Sequence, residues 1–144
     1  MKYPTQAFVF IELLGVTFLV TILAAVAVPA YSNYVARSQL AEGFLLAATV
    51  KKSVSDYYAY RGKFPADNHA AGVSPPEQLT GRYVSRIEVV NGQVLVYFGH
   101  HSLKSIDGKI LQFRPAIHDS SIAWLCSKVD DTNIDLPYRP SSCK

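Results

Sequence analysis

The sequence predicts an α+β protein: a long N-terminal α-helix, apolar in its first half, packed by its second half on a four-stranded antiparallel sheet that ends in a disulfide-bounded loop. Three observations carry this. No charged residue occurs from Leu13 to Ala36, a helix-compatible pattern runs on to about Tyr60, and four β-rich runs separated by turn signals follow it. At 144 residues the chain suits one domain plus a segment outside the globular core. Its formal net charge of +3 is too small to imply nucleic-acid binding by itself.

Phe8 to Tyr34 reads FVFIELLGVTFLVTILAAVAVPAYSNY, with Glu12 its single charge. A hydrocarbon core about 30 Å thick takes roughly 20 apolar residues as helix, and Leu13 to Ala30 approaches that length alone. A secretory signal would stop at a small-residue cleavage site. Here the chain continues without a break into a segment where Val35, Leu40, Phe44, Leu45, Ala48 and Val54 approximate one apolar face. Arg37, Glu42, Lys51, Lys52 and Asp56 supply the polar one. One helix from about Phe8 to Tyr60 is expected. Its first half must be buried in lipid or among copies of itself.

Glu12 sharpens this reading. A carboxylate costs roughly 2.5–3.5 kcal/mol at mid-bilayer on insertion scales, and less near the interface. It therefore needs either the headgroup boundary or a cation. Cutting the chain just before Phe8 would create that cation, a free α-amine able to pair with Glu12 of a neighbouring copy. Pro29 lacks a backbone donor and clashes with the carbonyl of Ala25, and Gly15 is a second weak point, so helix regularity is expected to fail between them in an assembled state.

Phe8-x-x-x-Glu12 opening an apolar helix, followed by ILAAVAVPAYSNYVARSQ from Ile22 to Gln39, resembles the N-terminal signature of type IV pilins, in particular the type IVa subclass. Pro29, Tyr31 and Tyr34 fall where that family has its proline and tyrosines. The stretches Tyr57 to Val73 and Ile122 to Lys144 are similar to the family's segment after the helix and to its disulfide-bounded loop. The resemblance implies a leader of residues 1–7, a membrane and filament-core helix over 8–36, and a head over 37–144. It also implies cleavage between Ala7 and Phe8 by a prepilin peptidase, N-methylation of Phe8, and passage through the inner membrane and its assembly machinery. The end product is an extracellular filament of copies of the chain. Ala7 departs from the family's usual Gly before the cut.

Within the head, 61–85 is rich in Pro and Gly and reads as a loop. The sheet is expected over 86–126. Arg86 to Phe98 holds two β-rich runs flanking Asn91-Gly92, which suits a two-residue type I′ turn. Asp107-Gly108 precedes a third run, Lys109 to Ile117, in which Pro115 points to an edge or a bulge. Ser121 to Cys126 is the fourth, with Trp124 expected in the core. Two cysteines, Cys126 and Cys143, together with an export signal favour a disulfide rather than reduced thiols. The bond closes the loop 126–143, with 16 residues between the cysteines, for which the chain-entropy model gives roughly 3 kcal/mol.

No catalytic constellation appears, and no cofactor is implied. His69, His100, His101 and His118 lack zinc-site spacing. Asp130, Asp131, Asn133 and Asp135 form an acidic set without the EF-hand pattern, and read as a solvated turn. DNA contact is a weaker expectation, since some pilins bind DNA. Its candidates are Arg82, Arg86, Lys104, Lys109, Arg114 and Lys128, interleaved with aromatics. The head holds 13 basic against 10 acidic residues, an excess that suits an ordinary mixed surface better than a stripe. Two alternatives to a pilus structural subunit are therefore a DNA-binding minor competence pilin and a type II secretion pseudopilin. The cysteine-bounded loop speaks against the second.

Overall fold

The computed structural model of the chain describes residues 5–119, 121–126 and 133–143. Lys2 of the expected leader, and Lys128, Asp130 and Asp131, lie outside them. The order of elements is α1 (Thr5–Arg61), a 3-10 turn (Pro76–Gln78), β1 (Val84–Val90), β2 (Gln93–Phe98), β3 (Ile110–His118), β4 (Ser121–Leu125) and a second 3-10 turn (Ser141–Cys143). This is the α+β arrangement expected from the sequence. The chain divides into two compact units after Tyr34.

In the first unit α1 is apolar all round. Every large side chain from Phe8 to Val28 is 48–71% exposed. Thr17 and Thr21 donate their hydroxyls to the carbonyls of Leu14 and Phe18, at 3.0 and 2.7 Å, so neither presents an unmet donor at the surface. Pro29 sits inside the helix, which the structure draws without interruption from Thr5 to Arg61.

In the second unit α1 packs on a β1-β2-β3-β4 meander, all pairs antiparallel. The buried stripe is Ala36, Leu40, Gly43, Ala47, Val50 and Val54. It overlaps the expected apolar face at Leu40 and Val54 only; Leu45 is 73% exposed and Ala48 is also exposed. Close approach explains the difference. A Cβ on Gly43 would lie 2.6 Å from Phe98 Cζ, so the helix presses its smallest residues to the sheet. Phe44, half-buried, meets Phe113 edge-on at 5.2 Å between centroids.

The β1–β2 turn follows the sequence expectation. Val90 pairs with Gln93, and Asn91 and Gly92 take φ of +49° and +83°. Pro115 lies beyond Phe113, the last β3 residue paired with β2, and faces Trp124 of β4 on its one paired side. There its missing N–H breaks no β2 ladder bond. β1 begins at Val84, earlier than expected, because an irregularity between Val84 and Arg86 lets the pairing run on.

Candidate functional site

The site begins with the exposed helix. Phe8 and Glu12, four residues apart, share a helix face, and the rise of about 1.5 Å per residue separates them by roughly 6 Å along the axis. Both are exposed. Ala7 precedes Phe8 inside α1, so a terminal amine at Phe8 requires cutting within a helical stretch. A Cβ at Gly15 would meet nothing within 4 Å, so its weakness is one of propensity and not of packing. The described helix is long and apolar enough to cross a membrane, and none of its most apolar window is buried within the chain.

The second component is the C-terminal loop. Cys126 and Cys143 are bonded, with Cα atoms 5.0 Å apart and both residues buried. Beyond the disulfide, the tail has several further anchors. Ile134 is buried in the core. The backbones of Asn133 and Ile110 meet at 3.1 Å, and Asn133 Oδ1 accepts the Ile110 N–H at 2.6 Å. Lys109 and Asp135 pair at 2.5 Å. Arg37, on α1, donates Nε and Nη2 to the Pro137 carbonyl at 2.9 and 2.7 Å. Asn133 and Asp135, two of the four residues of the acidic set, are thus engaged in pinning the loop. Among the described residues no group of three or more His, Cys, Asp or Glu is placed to hold a metal ion.

The candidate DNA contacts are not equivalent. Arg82 and Arg86 are exposed and lie over aromatic rings, Arg82 at 5.5 Å from Tyr83 and Arg86 at 4.0 Å from Tyr97. Tyr97 also donates its hydroxyl to Glu88, at 3.1 Å, which sets a carboxylate beside the Arg86 charge. Lys104 is exposed on the loop after β2, Lys109 is ion-paired, and Arg114 is partly buried beside Leu125 in register. His100 and His101 stand in that same loop, where the His101 N–H reaches the Arg82 carbonyl at 3.5 Å.

Sequence reasoning missed Asn68 and Gln39, which shape the head, and placed Lys51 on the polar face without its aromatic contacts. Gln39 is buried and accepts the Leu103 N–H at 2.8 Å, tying α1 to the β2–β3 loop. Lys51 lies 4.3 Å over the Phe113 ring and 6.0 Å from that of Trp124, and burial lowers its pKa below the usual 10.5. The glycine in mid-helix, Gly43, was the available signal for close packing. Nothing in the local pattern marks Asn68.

An exposed apolar helix feeding a small disulfide-closed α+β head defines a subunit that needs other apolar surface to be complete. Residues 36–144 match the pilin family, a family of bacterial filament proteins. The chain is 38% identical to the type IV major pilin protein PilE1 of Neisseria gonorrhoeae, over all of this chain and 89% of that one. It is 40% identical to the fimbrial protein EcpC of Eikenella corrodens, over all of this chain and 94% of that one. The type IV major fimbrial protein FimA of Dichelobacter nodosus is more distant, at 26% identity over this whole chain and 98% of its own length. The chain belongs to the pilin family.

Proposed function

We propose that this chain is a structural subunit of a type IV pilus, assembled through its apolar helix into an extracellular filament of copies of itself. The observation that carries the reading is the helix from Phe8 to Val28, whose large side chains are all exposed. Water does not tolerate so much apolar surface; a bilayer does before assembly, and a bundle of like helices does after it. Similarity over the whole chain to a type IV major pilin and to a fimbrial protein supports the same reading.

On this reading the precursor is held in the bacterial inner membrane by residues 8–36. A prepilin peptidase cuts between Ala7 and Phe8, the new Phe8 amine is methylated, and inner-membrane pilus machinery adds the subunit to the filament. Glu12 pairs with the Phe8 amine of a neighbouring copy, which replaces the water that each charge loses. Between Gly15 and Pro29 the helix gives up its regularity in the filament and lends the fibre extensibility.

Mass spectrometry of filaments sheared from producing cells tests the reading. This chain should be present, with Phe8 as an N-terminus carrying an added methyl. An intact Met1 in filaments would overturn the processing step, and absence of the chain from filaments would overturn the whole. Glu12→Ala should leave membrane insertion intact and reduce filament yield; undiminished yield would remove the pairing role.

A further inference from the structure

Hydroxyl groups along the apolar half of α1 fall into two kinds. Thr17 and Thr21, in the middle of the run, donate theirs to the carbonyls of Leu14 and Phe18. Tyr31 and Tyr34, at its end, are 70% and 72% exposed, and among the described residues neither phenol has a hydrogen-bond partner. The first pair suits hydrocarbon, which offers no acceptor. The second suits a boundary, where the ring rests against acyl chains and the hydroxyl reaches water or a headgroup. Three positions apart, the two rings lie on one side of the helix.

Glu12, the one charge between Phe8 and Tyr34, stands 19 positions before Tyr31 in an unbroken helix, about 28 Å at about 1.5 Å per residue. A hydrocarbon core is about 30 Å thick. We propose that Tyr31 and Tyr34 anchor the membrane-held chain in one phospholipid headgroup layer, at a depth that puts Glu12 in the opposite one. The carboxylate then keeps its water while the subunit waits, and meets a neighbour's amine only on leaving the bilayer. The Ala7–Phe8 bond, about 7 Å further along the axis, stands clear of the hydrocarbon, where water is present to hydrolyse it. The inference rests on the membrane-held precursor of the reading above and adds the lipid surface that sets its depth. It concerns the helix before assembly and not the filament, where the same stretch is proposed to lose regularity.

Spin labels on single cysteines, introduced one at a time from Val16 to Val26 of the full chain in phosphatidylcholine vesicles, measure this depth by oxygen accessibility. Cys126 and Cys143 are bonded to each other and stay unlabelled. Accessibility should peak at Thr21 or Ile22, midway between Glu12 and Tyr31. Tyr31→Leu with Tyr34→Leu lengthens the apolar run and should move the peak toward the C-terminus by about two positions or more, about 3 Å. Tyr31→Trp with Tyr34→Trp should leave it in place, since indole favours the same layer. A parental peak outside 20–23, or an unmoved peak in the double Leu variant, overturns the proposal. If that variant does not insert, Tyr31→Leu and Tyr34→Leu decide singly, each expected to move the peak by about one position. A parental chain that fails to enter the vesicles removes this inference and the membrane step of the reading together. One that shows the expected depth but is absent from filaments of producing cells removes the filament reading alone.

Discussion

Asn68 occupies the outer edge of the sheet in place of a fifth strand: its Oδ1 accepts the Val89 N–H at 2.6 Å. Its Nδ2 donates to the carbonyls of Ile87 and Ser74, at 3.1 and 2.9 Å. One side-chain amide thus satisfies a donor and an acceptor of β1, and the Asn91 N–H reaches Ala66 of the same loop at 3.0 Å. An uncovered edge strand is a template for pairing with other chains, and the loop removes part of that template.

Asn68→Ala should therefore destabilise the head by about 1–3 kcal/mol, the cost of leaving a buried backbone donor unmet. It should also promote aggregation from the exposed β1 edge. Urea unfolding of the detergent-solubilised chain, with light scattering alongside, measures both. An unchanged midpoint would mean that water replaces the amide without penalty.

Gly43→Ala is a small change with a large expected effect. The added Cβ would stand 2.6 Å from Phe98 Cζ and 3.1 Å from Val96 Cγ1, so the Phe98 ring or the helix must move. Overpacking of this kind costs about 1–3 kcal/mol. The same substitution at Gly15, where a Cβ meets nothing, should not destabilise the helix. Comparing urea midpoints of the two variants separates packing from helix propensity.

Cys143→Ser should cost about 2–5 kcal/mol, within the range for a small disulfide-closed domain. Reductant should lower the melting temperature of the parent in the same way. The tail should not detach completely, because Ile134, the Asn133–Ile110 pair and the Arg37 bonds to Pro137 remain. Adding Arg37→Ala to Cys143→Ser should release it, seen as rapid amide exchange over 133–143 only in the double variant.

Lys51 gives the head a pH dependence of known sign. Burial lowers its pKa from 10.5, so the folded head binds fewer protons there than the unfolded chain does. Its charged form carries a desolvation cost below the folded pKa, and stability rises with pH from that point up to 10.5. Lys51→Met removes the titration. The stability of this variant relative to the parent should fall as pH is raised through that window, measured by urea unfolding at each pH. A difference that stays constant would mean that Lys51 is solvated in the folded head.

Much of this architecture was legible in the sequence, and the gaps have physical reasons. The membrane-length helix and the Asn91-Gly92 hairpin follow from local chemistry: unbroken hydropathy in one, tolerance of positive φ in the other. The buried face of α1 did not, because hydrophobicity favours Leu45 while close approach favours Ala36, Gly43 and Ala47. At those three positions small size, not apolarity, decides burial. Asn68 was illegible because its partners lie 19 and 21 residues away, on a strand edge that no local pattern describes. In the tail the cysteines were plain, whereas the Arg37 bonds span 100 residues. Phe8 and Glu12, the residues proposed for assembly, stood out by contrast, Glu12 as one charge in an apolar run.

The meander has a consequence in time. Each strand pairs with its immediate successor, so the sheet closes through short loops and needs few distant encounters. A chain that emerges in order can thus zip β1 to β4 as those residues appear. Cys143, the later of the pair, finds Cys126 already at the end of a formed strand, 17 residues back. Oxidation then seals a finished head and need not guide an unfinished one.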